Sequence, residues 1–112
     1  MPFMTTYQPG DFLLVAFPFV GSAQSKKRPA LVLIDTGDQD VLLARVTTQM
    51  ANTPRDVLLR QWRQAGLLAP SWVRLHKIAT VEKALVQRLL GHIEPADRQQ
   101  VAGVLNGMFG SW

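Results

Sequence analysis

Two apolar runs separated by a short turn-forming segment constrain the fold of this chain more than any other feature. Residues 29–34 and 41–46 form the runs, and residues 36–40 between them include Gly37 and the aspartates of a tight reversal. The runs have the usual length of buried strands, and so short a connection joins neighbouring antiparallel strands. The segment therefore predicts a β-hairpin.

The rest of the chain continues this pattern of short segments. Residues 12–19 are nearly all apolar and rich in aromatic side chains, which predicts a strand ending near Pro18. Loops are predicted over residues 20–27 and 48–54. Later strands and one helical turn are predicted over residues 56–62, 72–79, 81–85 (the turn) and 86–93, with Gly91 as a bulge.

A helix is predicted at the end of the chain. Pro95 suits a first helical position, Asp97 adds a favourable early negative charge, and apolar residues recur at helical spacing from Val101 to Phe109. Consecutive hairpins leave no room for βαβ crossovers. About five to seven short strands and one terminal helix therefore predict a mainly β (α+β) barrel.

The composition predicts one compact, cytoplasmic domain over residues 1–112. Hydrophobic residues make up 47% of the chain, enough to fill a core, and the first residues lack the pattern of a signal peptide. No apolar run approaches the roughly 18 residues of a membrane span. With no cysteine and only His76 and His92, we expect no disulfide, no thiolate metal site and no multi-histidine metal site. We also predict that the protein uses no cofactor.

The positive charge lies in the body of the chain. The formal net charge is +4, and eleven of the twelve Lys and Arg residues fall between Lys26 and Arg88. This distribution favours a polyanionic partner over a basic tail. Because the net charge is modest, a basic surface that only keeps the protein soluble is the alternative.

Arg28 is the strongest candidate for an anion-binding residue. It directly precedes Pro29, which restricts it to extended geometry and so fixes the direction of its guanidinium. A guanidinium can donate two parallel hydrogen bonds to a phosphate. The alternative is an ordinary surface arginine beside a strand. Lys26 and Lys27 are expected to contribute positive field rather than specific contacts.

Thr47, Thr48 and Gln49 place three hydrogen-bonding side chains where the strand over residues 41–46 opens into a loop. Such groups could hold a phosphate or the edge of a base. Two threonines after a strand are also ordinary turn chemistry. The residues alone leave both interpretations open.

Five short motifs occur in one order at compact spacings: Gly10-Asp11, Gly21-Ser22, residues 27–33 around Arg28-Pro29, Val46-Thr47-Thr48-Gln49 and residues 71–75 around Trp72 and Arg74. In this combination the chain resembles the MazF/PemK family of toxin endoribonucleases. The resemblance implies an SH3-like β-barrel that forms a homodimer and cleaves single-stranded RNA (mRNA) without a metal. It also implies a cognate antitoxin, and any contact with DNA would run through that antitoxin.

The resemblance also implies roles for single residues. Arg28 and Thr47 match a catalytic arginine and threonine, Arg74 matches an active-site arginine of PemK-type members, and Ser22 matches a residue near the scissile phosphate. His76 falls where many such members carry aspartate. Because histidine titrates near neutral pH, His76 could transfer protons. It could instead be a structural strand residue, or a sign of attenuated activity.

The predicted catalytic residues are Arg28, Thr47, Arg74 and His76, and the predicted RNA-binding residues are Ser22, Gln24, Lys26, Lys27, Thr48 and Gln49. We expect the loops over residues 20–27 and 48–56 to read unstacked bases. Two alternatives stay open: a non-catalytic module of the related, gyrase-directed CcdB type, and an attenuated homologue that only binds antitoxin.

Overall fold

A computed structural model describes residues 5–18, 25–110 and 112 of the chain. The strands in this part are β1 (Asp11–Pro18), β2 (Ser25–Ile34), β3 (Asp40–Thr47), β4 (Asp56–Leu58), β5 (Trp72–Glu82) and β6 (Val86–His92). A 3₁₀ turn at Lys83–Leu85 joins β5 to β6, and helix α1 (Pro95–Phe109) follows. The strands form one antiparallel sheet in the order β4-β5-β3-β2-β1-β6.

The predicted mainly β fold with a C-terminal helix is confirmed, although the sheet does not close into a barrel. In the described part of the chain, β4 and β6 are the two edges of the sheet. The register between β3 and β5 shifts at Ala44/Arg45, and that between β1 and β6 shifts twice. Such irregularities bend strands, so the sheet is open but irregular along its length.

The β2–β3 hairpin is confirmed, with Leu31 opposite Ala44 and Val32 opposite Leu43. Its turn is held by side chains. Asp35 accepts a hydrogen bond from the Gly37 amide at 2.8 Å. Gly37 has a φ of +87°, a conformation that glycine adopts without strain.

The predicted loop over residues 20–27 is wrong at its C-terminal end, because β2 already begins at Ser25. Lys26 and Lys27 are strand residues that lie opposite Phe17 and Ala16 of β1. Backbone pairing with β1 extends the strand beyond its apolar part. Residues 20–24 lie outside the described residues.

The predicted strand over residues 56–62 is too long, since β4 ends at Leu58. The next amides have other partners: that of Leu59 donates to the Ser71 carbonyl at 2.9 Å. The amides of Arg60 and Gln61 donate to the two carboxylate oxygens of Asp97 at 3.0 and 2.9 Å. Competing acceptors therefore stop the strand.

The predicted helical turn over residues 81–85 begins too early, because β5 continues through Glu82 before the Lys83–Leu85 turn. Gly91 is not the extra residue of a bulge: it lies opposite Phe12, and Leu90 is the residue left over. A side chain at Gly91 would meet the Ala65 carbonyl, and one at Gly66 would meet that of Leu90. Both glycines allow the two backbones to touch.

Helix α1 begins at Pro95, as predicted, and ends before Gly110, which has a φ of +64°. Asp97 in its first turn is buried, with 1% of its surface exposed. Its carboxylate accepts the amides of Arg60 and Gln61, so it connects the helix to the segment after β4. No helix in the described residues is long and apolar enough to cross a membrane.

The sheet carries an apolar cluster on each of its two faces. On the face that we call the helix face, Phe12, Leu31, Val46 and Val73 pack with helix α1 through residues such as Val101. On the opposite face, the core residues are Leu13, Val15, Ala30, Val32, Val41, Leu43 and Val81. Side chains alternate between the two faces along a strand. The faces of the core residues therefore also show on which face each polar residue near a strand end lies.

Candidate active site

A concave site of about 240 Å³ lies where β2, β3 and β5 meet, at the C-terminal end of β3. Of the described residues that line it, four are basic and none is acidic: Arg28, Arg45, Val46, Thr47, Thr48, Gln49, Arg74 and Lys77. An excess of cations around a small polar cavity favours an anionic ligand. We call this the basic cavity.

Arg28 reaches the basic cavity from β2. It lies opposite Val15 of β1, two and four positions before the buried residues Ala30 and Val32, which places it with them on the opposite face of the sheet. Its side chain is exposed. Pro29 follows it within the strand, and the pairing with β1 continues through both residues.

Arg45 and Arg74 occupy directly opposite positions on β3 and β5. On the far side of β5, Arg74 lies opposite Asp56 of β4, and its Nε donates to Asp56 Oδ1 at 3.1 Å. Arg45 instead lies over the ring of Phe17, with its guanidinium carbon 5.8 Å from the ring centre. Cross-strand pairing therefore places both arginines at one wall of the basic cavity, with their guanidinium groups on different partners.

The side chain of Asp56 is inaccessible to solvent. Burial raises the pKa of this carboxyl group, but hydrogen bonds from the Thr53 hydroxyl and amide and from Arg74, together with the Arg74 charge, lower it more. The pKa of Asp56 thus lies below its ordinary value of 3.8. Asp56 is an anion at neutral pH that holds a cation in place.

Thr47 is half-buried at the end of β3. Its Oγ1 accepts a hydrogen bond from the Gln49 amide at 3.1 Å, which is a local turn interaction. The hydroxyl proton can still be donated to a ligand. Thr47 can therefore hold the local turn and also donate to a ligand, so the turn role and the binding role are compatible with the same geometry.

His76 lies next to the basic cavity but is not among the residues that line it. Its Nε2 lies 3.5 Å from Arg74 Nη2, and its Nδ1 lies 4.0 Å from Asp56 Oδ1. A guanidinium can only donate, so a hydrogen bond between these atoms requires the imidazole tautomer in which Nε2 is unprotonated. His76, Arg74 and Asp56 form one contiguous group.

The predicted RNA-binding residues divide among several places. Ser22 and Gln24 lie outside the described residues. Thr48 and Gln49 line the basic cavity, while Lys26 is exposed on β2. Lys27 points to the helix face and lines a different, largely apolar cavity of about 250 Å³ with Leu68, Leu90 and Arg88. Thr48 lines both cavities.

The sequence-based prediction misses three residues of this region: Arg45, Asp56 and Lys77. Arg45 had a signal, because a lone charged residue within an apolar strand has to point away from the core. Asp56 had a weaker signal, because Thr53 lies three residues before it. In the structure, the Thr53 hydroxyl donates a hydrogen bond to the Asp56 carboxylate at 2.8 Å. Across the described chain, no group of three or more His, Asp or Glu side chains could hold a metal ion.

The fold and the basic cavity define a small antiparallel β-sheet protein with a C-terminal helix and a polar cavity lined by cations. Residues 8–109 match the family described as PemK-like, MazF-like toxin of type II toxin-antitoxin system, and the chain belongs to this family. The predicted family is therefore confirmed. No curated protein matches the chain.

Solved structures share the fold at low sequence identity. An endoribonuclease from mycobacterial species is 21% identical over 99% of this chain and 99% of its own, with a TM-score of 0.77. The Mycobacterium tuberculosis toxin MazF-mt6 is 20% identical over 91% and 99%, with a TM-score of 0.74. A MazE-MazF structure from Deinococcus radiodurans is 20% identical over 97% and 100%, with a TM-score of 0.76.

Proposed function

We propose that this protein is a toxin endoribonuclease that cleaves single-stranded RNA at a specific sequence, without a metal or other cofactor. The observation that carries the proposal is the basic cavity, where Arg28, Arg45 and Arg74 surround the polar end of β3. Membership of the toxin family and the fold shared with an endoribonuclease support it. We place its action in the cytoplasm, on mRNA.

In the proposed reaction, a ribose 2′-hydroxyl attacks the adjacent 3′-phosphate. The new O2′–P bond forms as the P–O5′ bond breaks, giving a 2′,3′-cyclic phosphate and a 5′-hydroxyl. A base takes the proton of the 2′-hydroxyl and an acid supplies one to the 5′-oxygen, so water is not consumed. The chemistry needs proton transfer and positive charge around phosphorus.

The basic cavity suits the charge requirement. Arg28 and Arg74 would donate to the non-bridging oxygens as negative charge develops in the transition state, and the Thr47 hydroxyl would hold one of them. These donors belong to strands that are paired on both sides, which keeps them oriented before RNA binds. Four cations in one site supply the electrostatic stabilisation.

His76 is our candidate for proton transfer. Its imidazole lies 3.5 Å from Arg74, close to the cavity rim, and imidazoles exchange protons near neutral pH. Asp56 suits this role less well, because its pKa lies below its ordinary value and its side chain is buried. In this scheme Arg28 acts as the second proton-handling group, at the leaving oxygen.

Single-stranded RNA would continue from the cavity along Thr48 and Gln49, with Lys26 and Lys27 adding field, and with Ser22 and Gln24 as further proposed contacts. A homodimer silenced by a cognate antitoxin is part of the same proposal. Exposed apolar side chains support such association, among them Leu68, Leu89 and Phe109. One solved structure with this fold is an endoribonuclease in complex with its cognate antitoxin.

The test is cleavage of single-stranded RNA by purified protein in the presence of EDTA, followed by analysis of the product ends and sequencing of the cut sites. We expect 2′,3′-cyclic phosphate and 5′-hydroxyl ends at a recurring short sequence. A strict requirement for added metal would refute the mechanism. Inhibition of gyrase supercoiling without any RNA cleavage would favour the CcdB-like alternative, and normal growth on expression without antitoxin would favour attenuation.

A further inference from the structure

One carboxylate of the described chain is buried directly against the basic cavity without lining it. Asp56 lies opposite Arg74 in the sheet, and its side chain is inaccessible. We propose that Asp56 is a positioning residue of the RNA-cleaving site, which fixes the guanidinium of Arg74 and, through it, the imidazole of His76. This inference rests on the proposed function.

Both oxygens of the Asp56 carboxylate are engaged. Oδ1 accepts from Arg74 Nε at 3.1 Å, while Oδ2 accepts from the Thr53 amide at 3.0 Å and from its hydroxyl at 2.8 Å. The Thr53 contacts attach the carboxylate to the loop before β4. A carboxylate held on both sides in a buried position is a rigid anchor for the group that it binds.

The anchor uses the Nε of Arg74 and leaves its terminal nitrogens for other partners. One of these, Nη2, lies 3.5 Å from His76 Nε2. Arg74 also lines the basic cavity, so its guanidinium extends between the carboxylate and the space for the ligand. Anchored in this way, it loses little side-chain freedom when a phosphate binds.

Asp56 also balances charge within the sheet. Arg45 and Arg74 are opposed across β3 and β5, and Asp56 lies on the other side of Arg74. His76 contacts Arg74 on its own strand and lies 4.0 Å from Asp56 on β4, while Arg45 and Lys77 are the other charged residues of this part of the cavity. Asp56 is the only anion among these four charged residues, so its removal leaves the three cations without this neighbouring negative charge.

The test compares wild-type protein with Asp56→Asn in RNA cleavage. The NH₂ group of an asparagine would face either Thr53 or Arg74, where it would meet another donor. Either the contact with Thr53 or the contact with Arg74 is therefore lost. We expect kcat to fall about 10–100-fold with KM for RNA unchanged or lower, because the cavity gains positive charge.

Asp35→Asn is the matched control. Asp35 is also an inaccessible carboxylate paired with a cation, Lys83, but it does not line the basic cavity. We expect this variant to lose stability without a change in kcat. In an Arg74→Gln background, Asp56→Asn should cause little further loss, since the two residues act as a unit.

An unchanged kcat in folded Asp56→Asn would overturn the inference, as would an equal loss in Asp35→Asn. If Asp56→Asn does not fold, hydrogen exchange in wild-type protein decides. The Nε proton of Arg74 should exchange more slowly than those of Arg28 and Arg45, and equal rates would overturn the inference. Failure of wild-type protein to cut RNA would instead refute the proposed function and leave the exchange test valid.

Discussion

Arg45 and Arg74 face each other directly across β3 and β5. Like charges at opposed positions of a sheet are normally unfavourable. Here each guanidinium has a local partner: the Phe17 ring lies beneath Arg45, and the Asp56 carboxylate binds Arg74. The sheet therefore tolerates a pair of cations at one place, and that place is the wall of the basic cavity.

Arg45→Ala should weaken RNA binding without unfolding the protein, because it removes one of the opposed charges from an exposed position. We expect the slope of log K against log salt concentration to decrease by about 0.7, the value for one lost contact to single-stranded nucleic acid. Binding of a non-cleavable RNA analogue at several salt concentrations measures this slope. Arg63→Ala, which removes an exposed charge that lies over Trp62, should leave the slope unchanged.

Arg28→Ala and Thr47→Ala should each reduce the cleavage rate by about 10²–10³-fold, the usual cost of removing one donor to a developing charge. Single-turnover cleavage under saturating protein measures the effect. Thr47→Ser keeps the hydroxyl and should retain most activity. Lys27→Ala should affect KM more than kcat, because its side chain points to the other face of the sheet. Full activity of Arg28→Ala would remove Arg28 from the mechanism.

His76→Gln should lower the cleavage rate by about 10²-fold or more and remove the acid limb of the pH–rate profile, if His76 transfers a proton. The chain has only two histidines, which makes the control simple. His92 pairs with Asp11 at 2.8 Å and does not line the basic cavity. His92→Gln should therefore keep the limb. An unchanged profile in His76→Gln would assign His76 a structural role.

Stability should fall when the pH drops below about 4, and Asp35 should account for part of that loss. Burial raises the pKa of Asp35, but hydrogen bonds from the Tyr7 and Gly37 amides and from Lys83, together with the Lys83 charge, lower it more. A carboxyl group with a lowered pKa in the folded state stabilises the fold above its unfolded value and loses this contribution as it protonates. Urea unfolding of Asp35→Asn should show a flatter dependence on pH below about 4 than wild-type unfolding shows.

The sequence predicts the hairpin, the helix and Arg28 because each depends on local information. A turn between two apolar runs, a proline at the first helical position and a proline after an arginine constrain the backbone wherever they occur. The end of β4 depends instead on Asp97, whose carboxylate comes from 36 and 37 residues away and takes the amides that would continue the strand. No local sequence pattern indicates that a distant carboxylate will bind these amides.

The same limit explains the part of the site that the sequence does not reveal. Asp56 matters because the register of β4 and β5 puts it opposite Arg74, and Arg45 matters because β3 pairs with β5 on the other side. Register is a property of two strands together. A sequence shows which residues could bind an anion, whereas pairing decides which of them meet.

The two hydrogen bonds of Asp97 give helix α1 a part in the stability of a distant loop. The helix cannot leave the sheet without exposing the amides of Arg60 and Gln61, and these amides lie just beyond β4, the strand that carries Asp56. Detachment of the helix, release of this segment and fraying of the β4 edge therefore belong to one cooperative opening event. A partner that bound the helix could slow or promote this opening without contacting the basic cavity.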